Sequence, residues 1–255
     1  MTTTRRLLIC ALCTLAIVTT QAQQWPKPLP EAKAGTRWWW MGSAVDKENL
    51  WWNLSEYAKA GIGAVEITPL YGVQGNEKNE LPFLSPEWMQ ALKEVQDISR
   101  RVGIEVDMNC GTGWPFGGPL VPIEEAACKA LFRDTVVGGT ATYTFSLGRT
   151  KQKVKRAAPG GEGWVIDHFD RQAVRHYLDR FDKAFAESGV AWPHTFFNDS
   201  YEVYGANWTP TLFDEFQKRR GYDLRQHLPE LCFLIKAGSL VVIGISSVIY
   251  RHRSA

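Results

Sequence analysis

The chain has 255 residues, 45% of them hydrophobic and 22% charged, which is ordinary globular composition and enough chain for one sizeable domain. A net charge of +2, with no clustered basic face, excludes nucleic acid as a partner. The unusual count is tryptophan, at 11, because exposed indoles serve as stacking platforms for the apolar C–H faces of sugars.

In chain order, residues 1–22 come first as a secretory signal peptide. Arg5 and Arg6 form a basic n-region, Leu7 to Val18 a short apolar h-region, and Thr20-Gln21-Ala22 a small-residue cleavage site. The expected location is exported: periplasmic or extracellular, in a bacterium. Export leaves Cys110, Cys128 and Cys232, too few and too odd in number for a disulfide framework; one pair or three separate thiols both remain open.

The next elements alternate in period. TRWWWMGS (36–43) reads as a strand. DKENLWWNLSEYAKAG (46–61) reads as a helix capped by Asp46, with Leu50, Leu54, Tyr57 and Ala58 at helical spacing. AVEITPL (64–70) is a short β-branched strand ended by Pro69. SPEWMQALKEVQDISRRVG (85–103) carries the strongest helix signals: Ser85 as N-cap, Pro86 at the first turn, an apolar face from Trp88 to Ile98, and Gly103 to stop it. IEVDMNCG (104–111) is a third strand. This order predicts βα units on a parallel sheet.

TGWPFGGPLVP (112–122) is a Gly/Pro-rich loop; it lacks GxGxxG and a Lys-Ser/Thr pair, so phosphate binding is excluded. Residues 128–163 differ in style, Thr-rich with Gly-Gly turns and the basic run KVKR (153–156). They read as a small β-rich insertion, with KVKR as a solvated strand end. Residues 170–189 are an amphipathic helix with Val174, Leu178, Phe181 and Phe185 on one face. HTFFND (194–199) is a fourth strand, buried by its apolar residues, and 209–221 a following helix. The predicted fold class is therefore α/β: a partial (β/α)8 barrel of about four units, spanning 24–231, since a full barrel needs about 250 residues without insertions. Residues 232–255 are an apolar tail with basic residues after it. A membrane anchor is one reading; the end of a truncated or frame-shifted chain is the preferred one.

Strand ends in a parallel barrel face the active site. Here they supply Trp39 and Trp40, Glu66, Asp107 and Asn109, Trp114 beyond, and Asn198, Asp199 and Glu202. Carboxylates and amides bond sugar hydroxyls, indoles stack on the ring, and glycoside hydrolysis needs two carboxyl groups. Competing structural roles exist for each. Alternation buries either Trp38 and Trp40 or Trp39 alone; Glu66 and Asp107 can pair with a cation such as Arg37; Asp199 can cap a turn; His168, in VIDHFD, is a lone histidine whose ordinary role is structural.

The stretches RWWWMGSAVD, AGIGAVEITPLYG, VDMNCGTGWPFGGP, QKVKRAAPGGEGWVIDHF, FFNDSYEVYGANWTP and FDEFQKRRGYDLRQHLP together resemble the N-terminal barrel region of glycoside hydrolase family 106, the secreted bacterial α-L-rhamnosidases. The resemblance runs from about residue 24 to 231. It implies a (β/α)8 barrel with β-rich accessory domains, removal of terminal rhamnose from a rhamnose-containing glycan with inversion, and a calcium ion at the site. On this chain the implied catalytic candidates are Glu202 and Asp199. Trp39, Trp40, Glu66, Asp107, Asn109, Trp114, Asn198 and His168 are the candidates for binding substrate; Glu66 and Asp107 could also hold calcium, whose ligands are not assigned. Family members are several times longer, and the true acid and base could lie beyond residue 231. The rival expectation is a carbohydrate-binding protein without catalysis, tethered through 232–250.

Overall fold

The structure is a computed structural model and describes residues 29–236. The expected signal peptide and most of the apolar tail lie outside the described residues. The chain divides into two units, 1–33 and 34–255; the described part of the first contains a short 3-10 turn, Pro30–Ala32.

In the second unit, strand β1 (Gly35–Met41) leads into helix α1 (Lys47–Lys59), then β2 (Ala64–Leu70), helix α2 (Pro86–Val102) and β3 (Glu105–Asn109). Two residues of β4 (Gly117–Gly118) precede the long β5 (Cys128–Val137) and β6 (Thr140–Arg149), which form an antiparallel hairpin turned by Gly138-Gly139. The expected β element of the 128–163 region is this hairpin. Then follow β7 (Trp164–Val165), helix α3 (Arg171–Ser188), β8 (Phe196–Phe197), helix α4 (Leu212–Arg220) and helix α5 (Leu228–Lys236). No described helix is long and apolar enough to cross a membrane.

The helix ends form where local chemistry satisfies free N–H groups. Asp46 accepts from Asn49 N at 2.9 Å, Ser85 from Trp88 N at 3.2 Å, and Asp170 from Gln172 N at 2.8 Å. Gly103 and Gly189 take the left-handed conformation that closes α2 and α3.

β1, β2, β3 and β8 form one parallel sheet in that order. Trp38, Ile67, Met108 and Phe196 lie in one lateral row. The first three are buried in a single core with Leu54 of α1, Trp88 and Leu92 of α2, and Phe181 of α3. Each fully buried aliphatic side chain there contributes about 1.5–3 kcal/mol, so this helix-covered face supplies most of the sheet's stability. A second core joins the base of the β5–β6 hairpin to α4 and α5 around Trp208, Phe213 and Leu231.

The opposite face of the sheet is polar, because side chains alternate along a strand. Arg37, Glu66 and Asp107 form its first row. The Arg37 guanidinium lies 5.0 Å from the Phe197 ring on β8 and 3.1 Å from Asp199 just beyond it. Arg37 on β1 thus reaches across the polar face to β8 and the residue beyond it.

Three expectations need correction. Pro69 does not end its strand: it pairs beside Trp40 inside β2, tolerated because β3 pairs with β2 only as far as Ile67–Met108. The fourth strand shrinks from six residues to two and is not buried, with Phe196 and Phe197 at 37% and 38% exposure on the open edge. The apolar face of α3 runs through Ala173, Tyr177, Phe181 and Phe185, leaving Leu178 exposed; the Tyr177 hydroxyl donates to Cys110 O at 2.6 Å and so turns that face toward β3.

Candidate active site

The C-terminal ends of β1, β2, β3 and β8 share one rim. A cavity of about 550 Å³ opens there, lined by Trp114, Asp199, Ser200, Tyr201 and Glu202. The segment 198–208 has no regular strand or helix of its own. Fixed points hold it: Gln152 donates to Glu202 O at 3.0 Å and accepts from Tyr204 N at 2.7 Å, while Asn207 Oδ1 accepts from Ala130 N at 2.9 Å. Gln152 thus places the pocket wall, a role that its exposed-looking sequence context did not reveal.

The two expected catalytic carboxylates, Asp199 and Glu202, are both in this pocket. Asp199 is tied to Arg37 at 3.1 Å, and Arg37 also reaches Glu66 at 3.4 Å. The Glu66 side chain is 16% exposed, and Thr68 donates to it at 2.8 Å. Burial raises the Glu66 carboxyl above its ordinary range, against the pull of Thr68 and Arg37. The cation partner considered for Glu66 is therefore present. Asp107 does not meet Arg37: it accepts from Thr195 N at 2.9 Å and stands 3.2 Å from His194 Nδ1.

The expected binding residues divide. Trp39 is 61% exposed on the polar face, two residues beyond Arg37. Trp40 is 1% exposed, packed against Trp38 and Trp88, and belongs to the core rather than the rim. Asn109 is 2% exposed at the end of β3, and its amide nitrogen has no protein partner; that of Asn198, one residue after β8, has none either. Two buried donors left free at neighbouring strand ends are costly unless a ligand or water takes them. His168 is buried behind the wall, edge-on to Phe116 and to Tyr201 of the pocket; burial lowers its pKa to about 4, so the ring is neutral. It supports Tyr201 from behind and is not on the pocket surface.

One buried acid was missed. Asp167 is 1% exposed; its carboxylate accepts from Phe169 N at 3.0 Å and lies 3.6 Å from Cys128 Sγ. Burial raises it to about 6 and pushes the Cys128 thiol up to about 12. The signal was available: an Asp inside the apolar run WVIDHF is as anomalous as Glu66 in AVEITPL. Cys110, Cys128 and Cys232 are all free thiols.

Calcium takes six to eight oxygen ligands. Among the described residues no group of three or more His, Cys, Asp or Glu converges on a point where a metal could sit. Arg37 occupies the space between Glu66 and Asp199 that such an ion would need. The described residues alone do not assemble a calcium site, and no chemistry is assigned to one.

The GTGWPFGG glycines serve close approach of backbones. Gly113 has φ +56°, and a Cβ there would lie 2.0 Å from Lys155 O. This contact brings residues 155 and 156 against the rim.

The site is thus a parallel βα sheet whose strand ends carry carboxylates, amides and an exposed indole. The family model of glycoside hydrolase family 106, described as alpha-L-rhamnosidase, matches residues 26–154 and 145–241, and the chain belongs to that family. The structure of a rhamnosidase from Novosphingobium sp. PP1Y is similar in fold, with a TM-score of 0.63 at 14% identity, over 81% of this chain and 42% of that one. A protein of Formosa agariphila that bears the name beta-glucuronidase is 26% identical over 129 residues, which is 50% of this chain and 11% of that protein. The chain thus spans less than half the length of either.

Proposed function

We propose that this chain is part of an exported enzyme that removes terminal α-L-rhamnose from a glycan, with inversion, and that residues 35–236 are about half the wall of a (β/α)8 barrel. The observation that carries the reading is the pocket at the strand ends, where Asp199 and Glu202 stand with Trp114 and Tyr201. In an inverting reaction one carboxylic acid protonates the glycosidic oxygen while a carboxylate opposite activates water. Asp199 is anchored by Arg37 and suits a fixed base. Glu202 has its backbone held by Gln152 and suits the acid. On this reading Trp39 and Trp114 offer stacking faces, and the buried amides of Asn109 and Asn198, without protein partners at the ends of neighbouring strands, reach the sugar through water or a local shift.

The half-barrel reading is supported by the parallel βα order of the sheet and by the aromatic surface at β8. Phe196, Phe197 and Trp192 are 37%, 38% and 52% exposed there, a surface that a further βα unit would cover. On this reading the isolated chain is inactive or nearly so. A binding-only role is the second reading, favoured by the tie between Asp199 and Arg37, which leaves Glu202 as the pocket carboxylate outside that tie.

The test is hydrolysis of a chromogenic α-L-rhamnoside, with and without a calcium chelator, by this chain and by a version extended through the downstream DNA. Activity confined to the extended protein, and abolished there by Glu202→Gln, supports the proposal. Rhamnose binding without hydrolysis in either form would favour the second reading. Cleavage of a different glycosidic bond by the extended protein would refute the substrate.

A further inference from the structure

The wall segment 198–208 is held from two sides. On one, Gln152 fixes the backbone of Glu202 and Tyr204, and Lys155, from the KVKR run expected as a solvated strand end, donates through Nζ to the Tyr204 hydroxyl at 3.0 Å. The other side is buried. Where the wall ends, Trp208 pairs with Cys128 of β5 in an antiparallel bridge. Asn207 N donates to Cys128 O at 3.3 Å, and the Cys128 thiol donates to Trp208 O at 3.0 Å. Asp167 sits against this junction, fully buried, with its carboxylate 3.6 Å from the same thiol. The Thr209 hydroxyl is buried there as well and makes no hydrogen bond of good geometry, yet it lies near enough to Asp167 to lower its pKa. The thiol is one proton placed between two acceptors.

No cation compensates Asp167. Asp170, the cap of α3, is a like charge and disfavours its ionisation. His168 beside it is neutral. Arg149 of β6 donates to Ala126 O at 2.6 Å and acts on Cys128 rather than on Asp167. Glu125 accepts from Asp167 N at 2.9 Å through its carbonyl and turns its carboxylate to His176 at 2.6 Å. Protonated, the Asp167 carboxyl can donate to the Thr209 hydroxyl, and the thiol stays on Trp208 O. Ionised, it is acceptor-only and draws both the thiol and the hydroxyl to itself, because a hydrogen bond to a charged acceptor is about twice as strong as a neutral one. Trp208 O then loses its thiol donor.

We propose that Asp167 is a proton-controlled latch on the pocket wall: neutral, it leaves Cys128 to hold Trp208 against β5, and ionised, it takes that donor away and lets the end of the wall open. The effect reaches the pocket along the same backbone, since His168 follows Asp167 and stands edge-on to Tyr201 at 5.0 Å. The latch does not depend on what the pocket binds. Its direction follows from burial: a carboxyl raised to about 6 on folding stabilises the closed wall at acid pH, and that contribution is lost as pH rises through about 6.

The test is amide hydrogen exchange on the 255-residue chain between about pH 5 and about pH 7.5, expressed as opening constants after correction for intrinsic exchange. The reporter is the Asn207 amide, bonded to Cys128 O. If opening returns Asp167 from about 6 to an ordinary carboxylate value, linkage sets the rise in the Asn207 opening constant at about tenfold over this range. The rise is expected to vanish in Asp167→Asn. At every pH, Asn207 is expected to open more readily than the amides of α2, which open with the whole fold. No rise at Asn207, a rise that survives Asp167→Asn, or opening constants equal to those of α2 would each overturn the latch. Should Asp167→Asn fail to fold, carbon-13 NMR titration of the Asp167 carboxyl in the unaltered chain decides the matter. A midpoint shared with the opening of Asn207 supports the latch, and a different midpoint overturns it.

Discussion

Replacing Arg37 with Met removes the cation that joins Glu66 to Asp199 while keeping an apolar stem over Phe197. Exposed ion pairs contribute about 0–1 kcal/mol, whereas stripping one partner from a buried pair costs about 3–5 kcal/mol. The Arg37, Glu66 and Asp199 side chains are 34%, 16% and 26% exposed, between those limits. The expected loss near neutral pH is about 2 kcal/mol, or about 4–8 °C in the midpoint of a domain this size. Glu66 makes the loss depend on pH. Its carboxyl already titrates above its unfolded value because of burial, and Arg37 is one of the groups that lower it. A group raised on folding contributes stability that is complete below its unfolded pKa and is lost as pH rises through the folded one. Without Arg37 the folded value climbs further, so the penalty is small at about pH 4 and full at about pH 7. Thermal midpoints of the parent, Arg37→Met, Glu66→Gln and the double variant at both pH values measure this. The double variant should recover part of the neutral-pH loss. A penalty independent of pH, or no recovery, would mean that Arg37 acts by packing on Phe197 and not through its charge.

Asp167→Asn should remove a decline in midpoint that the parent shows between about pH 4 and pH 6.5, because the buried carboxyl is raised to about 6 and its stability contribution is lost as pH rises through that value. Gly113→Ala should cost about 3 kcal/mol or more, from its left-handed backbone and the 2.0 Å approach to Lys155 O, and should weaken ligand binding by moving residues 155 and 156. Trp40→Ala should cost about 3–5 kcal/mol as a core cavity, whereas Trp39→Ala, 61% exposed, should change stability by about 0.5 kcal/mol or less and lower sugar affinity in a titration. Calcium or a chelator should leave the midpoint of this chain unmoved, since no ligand cluster is present among its described residues.

Helices were the most legible elements, because their ends are written locally. Asp46, Ser85 with Pro86, and Asp170 sit beside the N–H groups they bond, and Gly103 and Gly189 meet the need for a left-handed residue. The first three strands were legible through short apolar or alternating runs between helix ends and turns: an aromatic run in β1, β-branched residues in β2 and alternation in β3. Alternation in WWW left two faces open, and only the packing of α1 and α2 decided that Trp38 and Trp40 turn inward. HTFFND misled because its aromatic residues resemble a buried strand, yet their burial depends on a neighbour across the β8 edge. The strand-end rim could be found by position, since each residue ends its own strand. What joins those residues could not. Arg37 and Asp199 lie far apart in the chain, and Lys155 meets Tyr204 only because Gly113 admits its carbonyl. Such contacts depend on tertiary geometry, which no short window of sequence contains.

The two-residue strand β8 has a dynamic consequence. β1 and β2 are in register over seven pairs, β3 and β8 over two. Amide exchange by local opening should therefore be fastest at β8, the part of the sheet with the fewest backbone bonds to break. Asp199, Ser200, Tyr201 and Glu202 follow that strand directly, so the carboxylates ride on its least anchored member. A strand added along the free edge of β8 would slow that opening and hold both acids in place without touching either of them.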